Sequence, residues 1–294
     1  MYLGPPPRRL EPAVWTTLPK ELRLASPTPE RHNFLEGPSF DRDGNLHVVD
    51  IFAGRTYRIT PAGQWEVVVE YDGQPNGLKI HKDGRIHLAC RKYGLATIDP
   101  RRGAVESIVD GPRRGQKFRS LNDLVFHSSG DIYFTDQGRT GLQDPSGRVY
   151  CLRANGRLET IVDTVPSPNG LVFNPAETEL FVAVTRGNCV WWVDMQDPER
   201  RAALFVQMHA QGPDGLAMDV EGNLVIAHAY HGAVWVYGRD AAPLYYIRPA
   251  QGVMTTNVAF GGPDNKTLYI VESATCSILT VPLPVAGQTM FSHA

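Results

Sequence analysis

Pro168-Asn169-Gly170-Leu171-Val172 returns almost unchanged as Pro213-Asp214-Gly215-Leu216-Ala217, and a third version stands earlier as Pro75-Asn76-Gly77-Leu78-Lys79. Each is a polar residue entering a short apolar run. Three looser copies, Glu36-Gly37-Pro38-Ser39-Phe40, Leu121-Asn122-Asp123-Leu124-Val125 and Thr256-Asn257-Val258-Ala259-Phe260, extend the series. With the polar residue as anchor, the six copies follow one another at intervals of 40, 46, 47, 45 and 43 residues. A repeat of roughly 40 to 50 residues is the length of one propeller blade of four antiparallel strands.

Between first and second strands lie turns of hairpin composition, Asp43-Gly44-Asn45, Lys82-Asp83-Gly84, Ser129-Gly130-Asp131 and Glu221-Gly222-Asn223. The first blade reads as Pro38 to Phe40, Leu46 to Asp50, Thr56 to Thr60 and Trp65 to Glu70. The last runs short: after Ile278 to Val281 only a Pro- and Gly-rich tail is left, so its fourth strand is expected from Ala13 to Leu18. The expectation is an all-β, six-bladed β-propeller over residues 1–294, with an extended arm at 1–12 and a tail at 283–294, its ring closed by an N-terminal strand. A β-sandwich would explain strands and turns but not six near-regular repeats. Helical folds are disfavoured because few segments hold a 3.6-residue period over three turns.

Composition narrows the partners. At 42% hydrophobic, 20% charged and a formal net charge of -2, the chain carries no basic excess for nucleic acid or an anionic membrane. No apolar run approaches the ~20 residues that span a bilayer, and Met1 to Pro7 lacks the apolar core of a secretory signal, so the chain is read as cytoplasmic. Cys90, Cys151, Cys189 and Cys276 lie far apart in apolar runs without a nearby Cys or His partner, which speaks for buried thiols rather than a zinc cluster. A small-molecule substrate and a monomer or small homo-oligomer are expected.

In a propeller the first strand of every blade lines the central channel, so Glu36, Asn76, Asn122, Asn169, Asp214 and Asn257 should converge. Two carboxylates and several carboxamides, with no His or Cys among them, make an oxygen-only set suited to Ca²⁺, Mg²⁺ or Mn²⁺. Glu36 and Asp214 would repel each other in a narrow channel, and one divalent cation would neutralise the pair. The competing explanation is that Asn-Gly and Asp-Gly merely start turns; it does not account for Glu36-Gly37-Pro38 at the same phase.

Leu35-Glu36-Gly37-Pro38, Leu121-Asn122-Asp123, Ser167-Pro168-Asn169-Gly170-Leu171 and Gly212-Pro213-Asp214-Gly215-Leu216 resemble, in order and spacing, the four metal-site signatures of the senescence marker protein and gluconolactonase family, which includes regucalcin and bacterial sugar lactonases. The likeness runs from about Phe34 to Glu272. It implies Glu36, Asn169 and Asp214 as direct metal ligands, Asn122 contacting metal or substrate, and Asp214 as the acid/base residue. Ca²⁺ is the first candidate ion, with Zn²⁺, Mn²⁺, Mg²⁺ or Fe²⁺ as others. Regucalcin-like members place Arg directly before Phe-Asn-Asp, whereas this chain reads Arg119-Ser120-Leu121-Asn122-Asp123, so a substrate clamp at Arg119 is displaced by one position. Tyr133-Phe134-Thr135-Asp136 also resembles a family signature; Asp136, at the end of that strand, is expected to reach a metal or order the site, a turn cap being the competing role.

The chemistry implied is opening of a small lactone, its carbonyl polarised by the ion and water activated by Asp214. Asn76, Asn122, Arg119, Asp136 and His231 are the expected substrate contacts. Among the other histidines, His32, His209 and His228 are weighed as bases, His228 and His231 together in Ala227-His228-Ala229-Tyr230-His231-Gly232. Phe52, Tyr93, Phe118, Tyr230 and the Gln137 to Asp144 insertion are expected to form walls. No Gly-x-Ser-x-Gly elbow supports a serine hydrolase. The same scaffold serves phosphotriesterases of the diisopropylfluorophosphatase type, and non-enzymatic metal-binding propellers are the other alternative; a strictosidine-synthase-like condensing enzyme would not need the quartet.

Overall fold

The computed structural model describes residues 4–28, 31–100, 102–210 and 212–294. Within them, each anchor lies at or near the start of the innermost strand of its own antiparallel sheet: Leu35–Phe40, Pro75–Ile80, Leu121–Phe126, Pro168–Phe173, Pro213–Met218 and Thr255–Gly261. From each inner strand the chain meanders outward, in blade 1 through Leu46–Asp50, Arg55–Ile59 and Trp65–Glu70. The fold is thus a six-bladed β-propeller with four antiparallel strands per blade. Blade 1 begins at Leu35 rather than at Pro38, because Leu35 and Glu36 pair with Asp50 and Val49 before the register slips ahead of Ser39.

That slip recurs near the entrance of every inner strand: Pro75/Gly77, Leu121/Leu124, Pro168/Leu171, Pro213/Leu216 and Thr255/Asn257. Irregular pairing of this kind re-aims side chains that strict alternation would send to opposite faces. It acts here where the polar anchors lie. At the far end of the inner strands, the first hairpin turns reverse the chain on left-handed residues, Gly44 in blade 1 and Gly130 in blade 3, with Glu177 and Asn265 taking that conformation in blades 4 and 6.

Ring closure follows the expected splice. Ala13–Thr17 pairs antiparallel with Ser277–Pro282 as the outer strand of blade 6, and the Leu18 amide donates to the Cys276 carbonyl at 2.9 Å. Part of the preceding arm is also strand: Arg8–Leu10 adds in parallel to Pro243–Ile247 as a fifth strand of blade 5, while residues 1–3 of the arm lie outside the described residues. The C-terminal tail crosses the lower face. Gln288 Nε2 donates to Phe173 O, Ser292 Oγ donates to Phe40 O, and the Phe291 ring stacks on Phe126 at 4.7 Å.

Apolar packing is divided among six clusters, one at each blade interface. Leu78, Ile86 and Val49 join blades 1 and 2, for example, and Tyr133, Phe173 and Leu180 join blades 3 and 4. The four cysteines are buried within these layers and unpaired. Among the described residues no helix is long and apolar enough to cross a membrane. With the apolar side chains drawn between blades, the axis is left to polar groups.

Deleting residues 1–18 removes the outer strand of blade 6, bares the edge of Ser277–Pro282 and uncovers the pocket of Leu18, a residue only 1% exposed. We expect the truncated chain to be insoluble or to melt at least ~10 °C lower, from a loss of several kcal/mol. An unchanged melting temperature would refute closure by this strand.

Candidate active site in the axial channel

The column following the anchors determines how closely the inner strands approach. A Cβ on Gly37 would lie 2.7 Å from the Asn76 carbonyl oxygen, one on Gly77 2.6 Å from Asp123 Cα, and one on Gly170 2.4 Å from the Asp214 carbonyl oxygen. In blades 1, 2, 4 and 5 glycine therefore lets one inner strand press against the next. Turn chemistry is not its main role. Blade 3 carries Asp123 in this column, so an extra carboxylate enters the channel there.

At the upper end of the channel is a cavity of about 550 Å³ whose walls include Glu36, Asn76, Asn122, Asn169 and Asp214. Five of the six anchors thus line one space. Asn257 lies beneath them: its Nδ2 donates to Glu36 Oε2 at 2.9 Å while its Oδ1 accepts from the Val258 amide at 2.8 Å. With Oδ1 so engaged, Asn257 serves as a brace for Glu36. The Gly37 amide also donates to Glu36 Oε2, at 2.8 Å.

Asn122 is oriented by Gln137, a residue whose part in the site the sequence had suggested only as wall. Asn122 Nδ2 donates to Gln137 Oε1 at 2.9 Å, and Gln137 Nε2 donates to Ser167 Oγ at 3.0 Å. This spends the Asn122 amide nitrogen and leaves its carbonyl oxygen as the available donor atom. Blade 3 also pins the neighbouring anchor, Thr135 Oγ1 donating to the Asn169 carbonyl at 2.8 Å.

Three carboxylates crowd the axis. Burial pushes the Glu36 carboxyl up to about 7, against the partial relief of the Asn257 and Gly37 hydrogen bonds and with Asp123 adding repulsion. Asp214 is raised well above the usual carboxylate range by burial first and by the Glu36 charge second, the Asn169 amide opposing. Asp123 is raised by burial, with Lys79 opposing; the Lys79 ammonium stands 4.0 Å from Asp123 Oδ1. No ion pair among the described residues compensates Glu36 or Asp214.

This donor set fits a divalent cation. Two carboxylates without an ion-pair partner among the described residues, Glu36 buried and Asp214 partly exposed to the cavity, share its walls with carboxamides, and all offer hard oxygen donors of the kind Ca²⁺ and Mg²⁺ prefer. No three His, Cys, Asp or Glu side chains among the described residues form a metal cluster, so amide oxygens would have to complete the coordination.

Other expected contacts are placed elsewhere. Arg119 does not line the cavity: its side chain packs on Gly138 and its guanidinium meets Asp144 at 3.3 Å. The cation at the wall is Arg186, which sequence reasoning missed. It follows the second strand of blade 4 and donates to Ser167 Oγ at 3.3 Å and to the Thr140 carbonyl. Asp136 is buried and accepts from the Ser120 and Arg119 amides at 2.8 and 3.1 Å, ordering the entry to blade 3 rather than facing the cavity. His231 stands outside these walls in an aromatic group, 4.7 Å from the His228 ring and 5.0 Å from the His209 ring. Of the expected walls, Tyr230 and Gln137 line the cavity, Phe52 lines its neighbour, Phe118 packs on Phe134 and Tyr150, and Tyr93 packs on Tyr71.

The chain is thus a six-bladed propeller that gathers carboxylates and carboxamides from separate blades at one end of its channel. Residues 34–274 match the SMP-30/Gluconolactonase/LRE-like region, and the chain belongs to that family. It is 32% identical over 234 residues to the Gluconolactonase of Zymomonas mobilis subsp. mobilis, covering 72% of this chain and 63% of that relative. It is 28% identical over 229 residues to Lactonase drp35 of Staphylococcus aureus, covering 72% and 69% respectively. In fold it is similar to a calcium-binding protein, regucalcin, from Agrobacterium tumefaciens, with a TM-score of 0.79, 22% identity and coverage of 98% of this chain and 99% of that one.

The raised carboxyls give the metal-free protein a pH signature. Glu36 binds its proton more tightly folded, at about 7, than unfolded, at 4.5, so between those values the native state holds more protons and stability falls as pH rises. After chelation the melting temperature should drop on the order of 5 °C from about pH 5 to about pH 8. Glu36→Gln should flatten that slope and melt above the stripped wild type at the higher pH. A slope of the opposite sign in the stripped protein would contradict this account of the axis.

Proposed function

We propose that this chain is a metal-dependent hydrolase that opens a small lactone in the axial cavity. The observation that carries the reading is the pair of carboxylates Glu36, buried, and Asp214, partly exposed to the cavity, neither with an ion-pair partner among the described residues, sharing the walls of one open cavity with Asn122 and Asn169. The family and the lactonase relatives support it. Glu36, Asn169 and Asp214 would hold the ion, Ca²⁺ first, with Asn122 beside them; a bound divalent cation supplies Lewis-acid polarisation of the carbonyl.

The chain's own groups do the rest. Asp214 reaches the cavity, where its carboxylate takes a proton from the water that attacks the lactone carbonyl carbon. When the tetrahedral intermediate collapses, the ring C–O bond breaks and Asp214 returns the proton to the departing ring oxygen. One water is consumed, and an open-chain hydroxy acid leaves. Carboxylates have two oxygens, so contact with an ion and acceptance of a proton are compatible roles for one residue. Arg186, at the wall and free of a carboxylate partner among the described residues, is positioned to donate to substrate oxygens.

The test is to strip the purified protein with chelator, restore Ca²⁺, Zn²⁺, Mn²⁺ or Mg²⁺ singly, and follow acid release from sugar and alkyl lactones beside a phosphotriester. Lactone hydrolysis should vanish and return with one ion, and Asp214→Asn should lower kcat by roughly 10²- to 10⁴-fold with the fold intact. A phosphotriester turned over ten times faster than every lactone would overturn the assignment in favour of the organophosphate reading.

Arg186→Met should raise KM about tenfold while changing kcat by less than about threefold, as expected for lost uniform binding of a charge-assisted hydrogen bond. A kcat collapse at constant KM would instead place Arg186 in the chemical step.

A further inference from the structure

Beside the axial cavity lies a second and larger one, about 800 Å³. Phe34, Ile51, Asn76, Tyr230 and Met254 belong to the walls of both, so the two adjoin as lobes at the same end of the channel. The second lobe is framed chiefly by blades 1, 2 and 6 and by the segment entering blade 1, with Ser120 and Leu121 of blade 3 and Tyr230 of blade 5 completing its walls. Its surfaces are mainly apolar, with Phe52 and Ile51 among them.

The lobes differ in charge. The axial lobe holds Glu36 and Asp214, whereas the side lobe has Arg23, Arg91 and His32 and, among its described walls, no carboxylate. Among the described residues, both guanidiniums are tethered only through neutral acceptors. Arg23 Nε donates to the Leu18 carbonyl at 3.1 Å, and Arg91 Nη1 donates to Gln74 Oε1 at 3.2 Å. Each side chain carries five N–H donors, so most of its capacity is left over. Arg55, Arg58 and Arg153, by contrast, are each matched to a Glu. Where the lobes join, Tyr230 is 65% exposed and has a left-handed backbone, φ 62°. Most of the ring surface is therefore free to pack on a ligand that spans the two lobes.

We propose that the side lobe is a substrate subsite. The lactone ring lies in the axial lobe, and an anionic group, carboxylate or phosphate, carried on an apolar spacer, lies against Arg23 and Arg91 with Tyr230 over the junction. The proposal rests on the lactonase reading for the identity of the ring. It rests on charge and continuity of the cavities for the identity of the tail. Opposite charges in the two lobes also fix orientation, since an anionic tail is repelled from the carboxylates at the axis and drawn to the arginines.

The experiment uses the full chain with Ca²⁺ and γ-lactams, which are not hydrolysed as lactones are. Four analogues are compared by calorimetry: the unsubstituted ring, an alkyl-substituted ring, and rings whose equal-length chains end in carboxylate or phosphate. We expect an anionic analogue to bind at least about tenfold tighter than the alkyl one, as charge-assisted hydrogen bonds to guanidinium allow. Whichever anion wins identifies the group. The advantage should disappear in the Arg23→Gln/Arg91→Gln double variant, while affinity for the unsubstituted ring stays the same. Equal affinity for alkyl and anionic rings, an advantage that survives the double substitution, or no binding of any analogue overturns the proposal. Hydrolysis of the matching lactones is scored separately: turnover without anion preference sinks the subsite alone, and anion-selective binding without turnover of any lactone sinks the lactonase reading alone.

Discussion

Six inner strands have to crowd around one axis, and the molecule depends on how that crowding is relieved. Blade 1 meets blade 2 where a Cβ on Gly37 would sit 2.7 Å from a backbone oxygen, and blade 4 meets blade 5 where one on Gly170 would sit 2.4 Å from another. These are backbone contacts that no side-chain rotation relieves. Glycine in this column is therefore a packing requirement, and the residue before it is delivered to the channel at the height the ring dictates. The register slips at the strand entrances then turn these residues toward one another.

The same geometry explains how an electrostatically unfavourable centre is tolerated. Each uncompensated buried carboxylate costs several kcal/mol, more than any single hydrogen bond at the axis returns. The apolar layers between blades are independent of that cost, since they lie off the axis and are complete without it. Stability made at the periphery thus permits repulsion at the centre. Glu36 and Asp214 are held together by strands that cannot move apart without breaking two blade interfaces, an arrangement whose repulsion a bound cation would relieve.

How much was legible in the sequence follows from this division. The fold could be read because ring symmetry imposes a period, and the N-terminal strand because blade 6 was one strand short. Glu36, Asn76, Asn122, Asn169 and Asp214 could be read as neighbours because they share a phase. Asp123 was missed although the signal was present: it replaces glycine in a column otherwise filled by Gly37, Gly77, Gly170 and Gly215, with Val258 in blade 6. Attention to the anchor column alone hid the substitution. The exchange of Arg119 for Arg186 at the cavity wall was not legible. Both belong to connections between strands, where side-chain direction is set by local hydrogen bonds, such as that of the Arg119 amide to Asp136, rather than by the repeat. His231 is a similar case, drawn into the aromatic group around Trp235 by contacts that no periodicity announces.

This contrast bears on specificity. The glycines that follow the anchors cannot change freely, because each is wedged against the inner strand of the next blade, so the height at which the carboxylates and carboxamides enter the channel is fixed by packing. Discrimination among substrates must come from groups free of that constraint. In this chain those are the rim residues Arg23, Arg91, Arg186 and Tyr230, which lie on connections rather than on inner strands. Lengthening or recharging such connections alters which molecule fits without disturbing the ring. A channel floor fixed by packing and a rim free of that constraint are therefore two consequences of one packing rule.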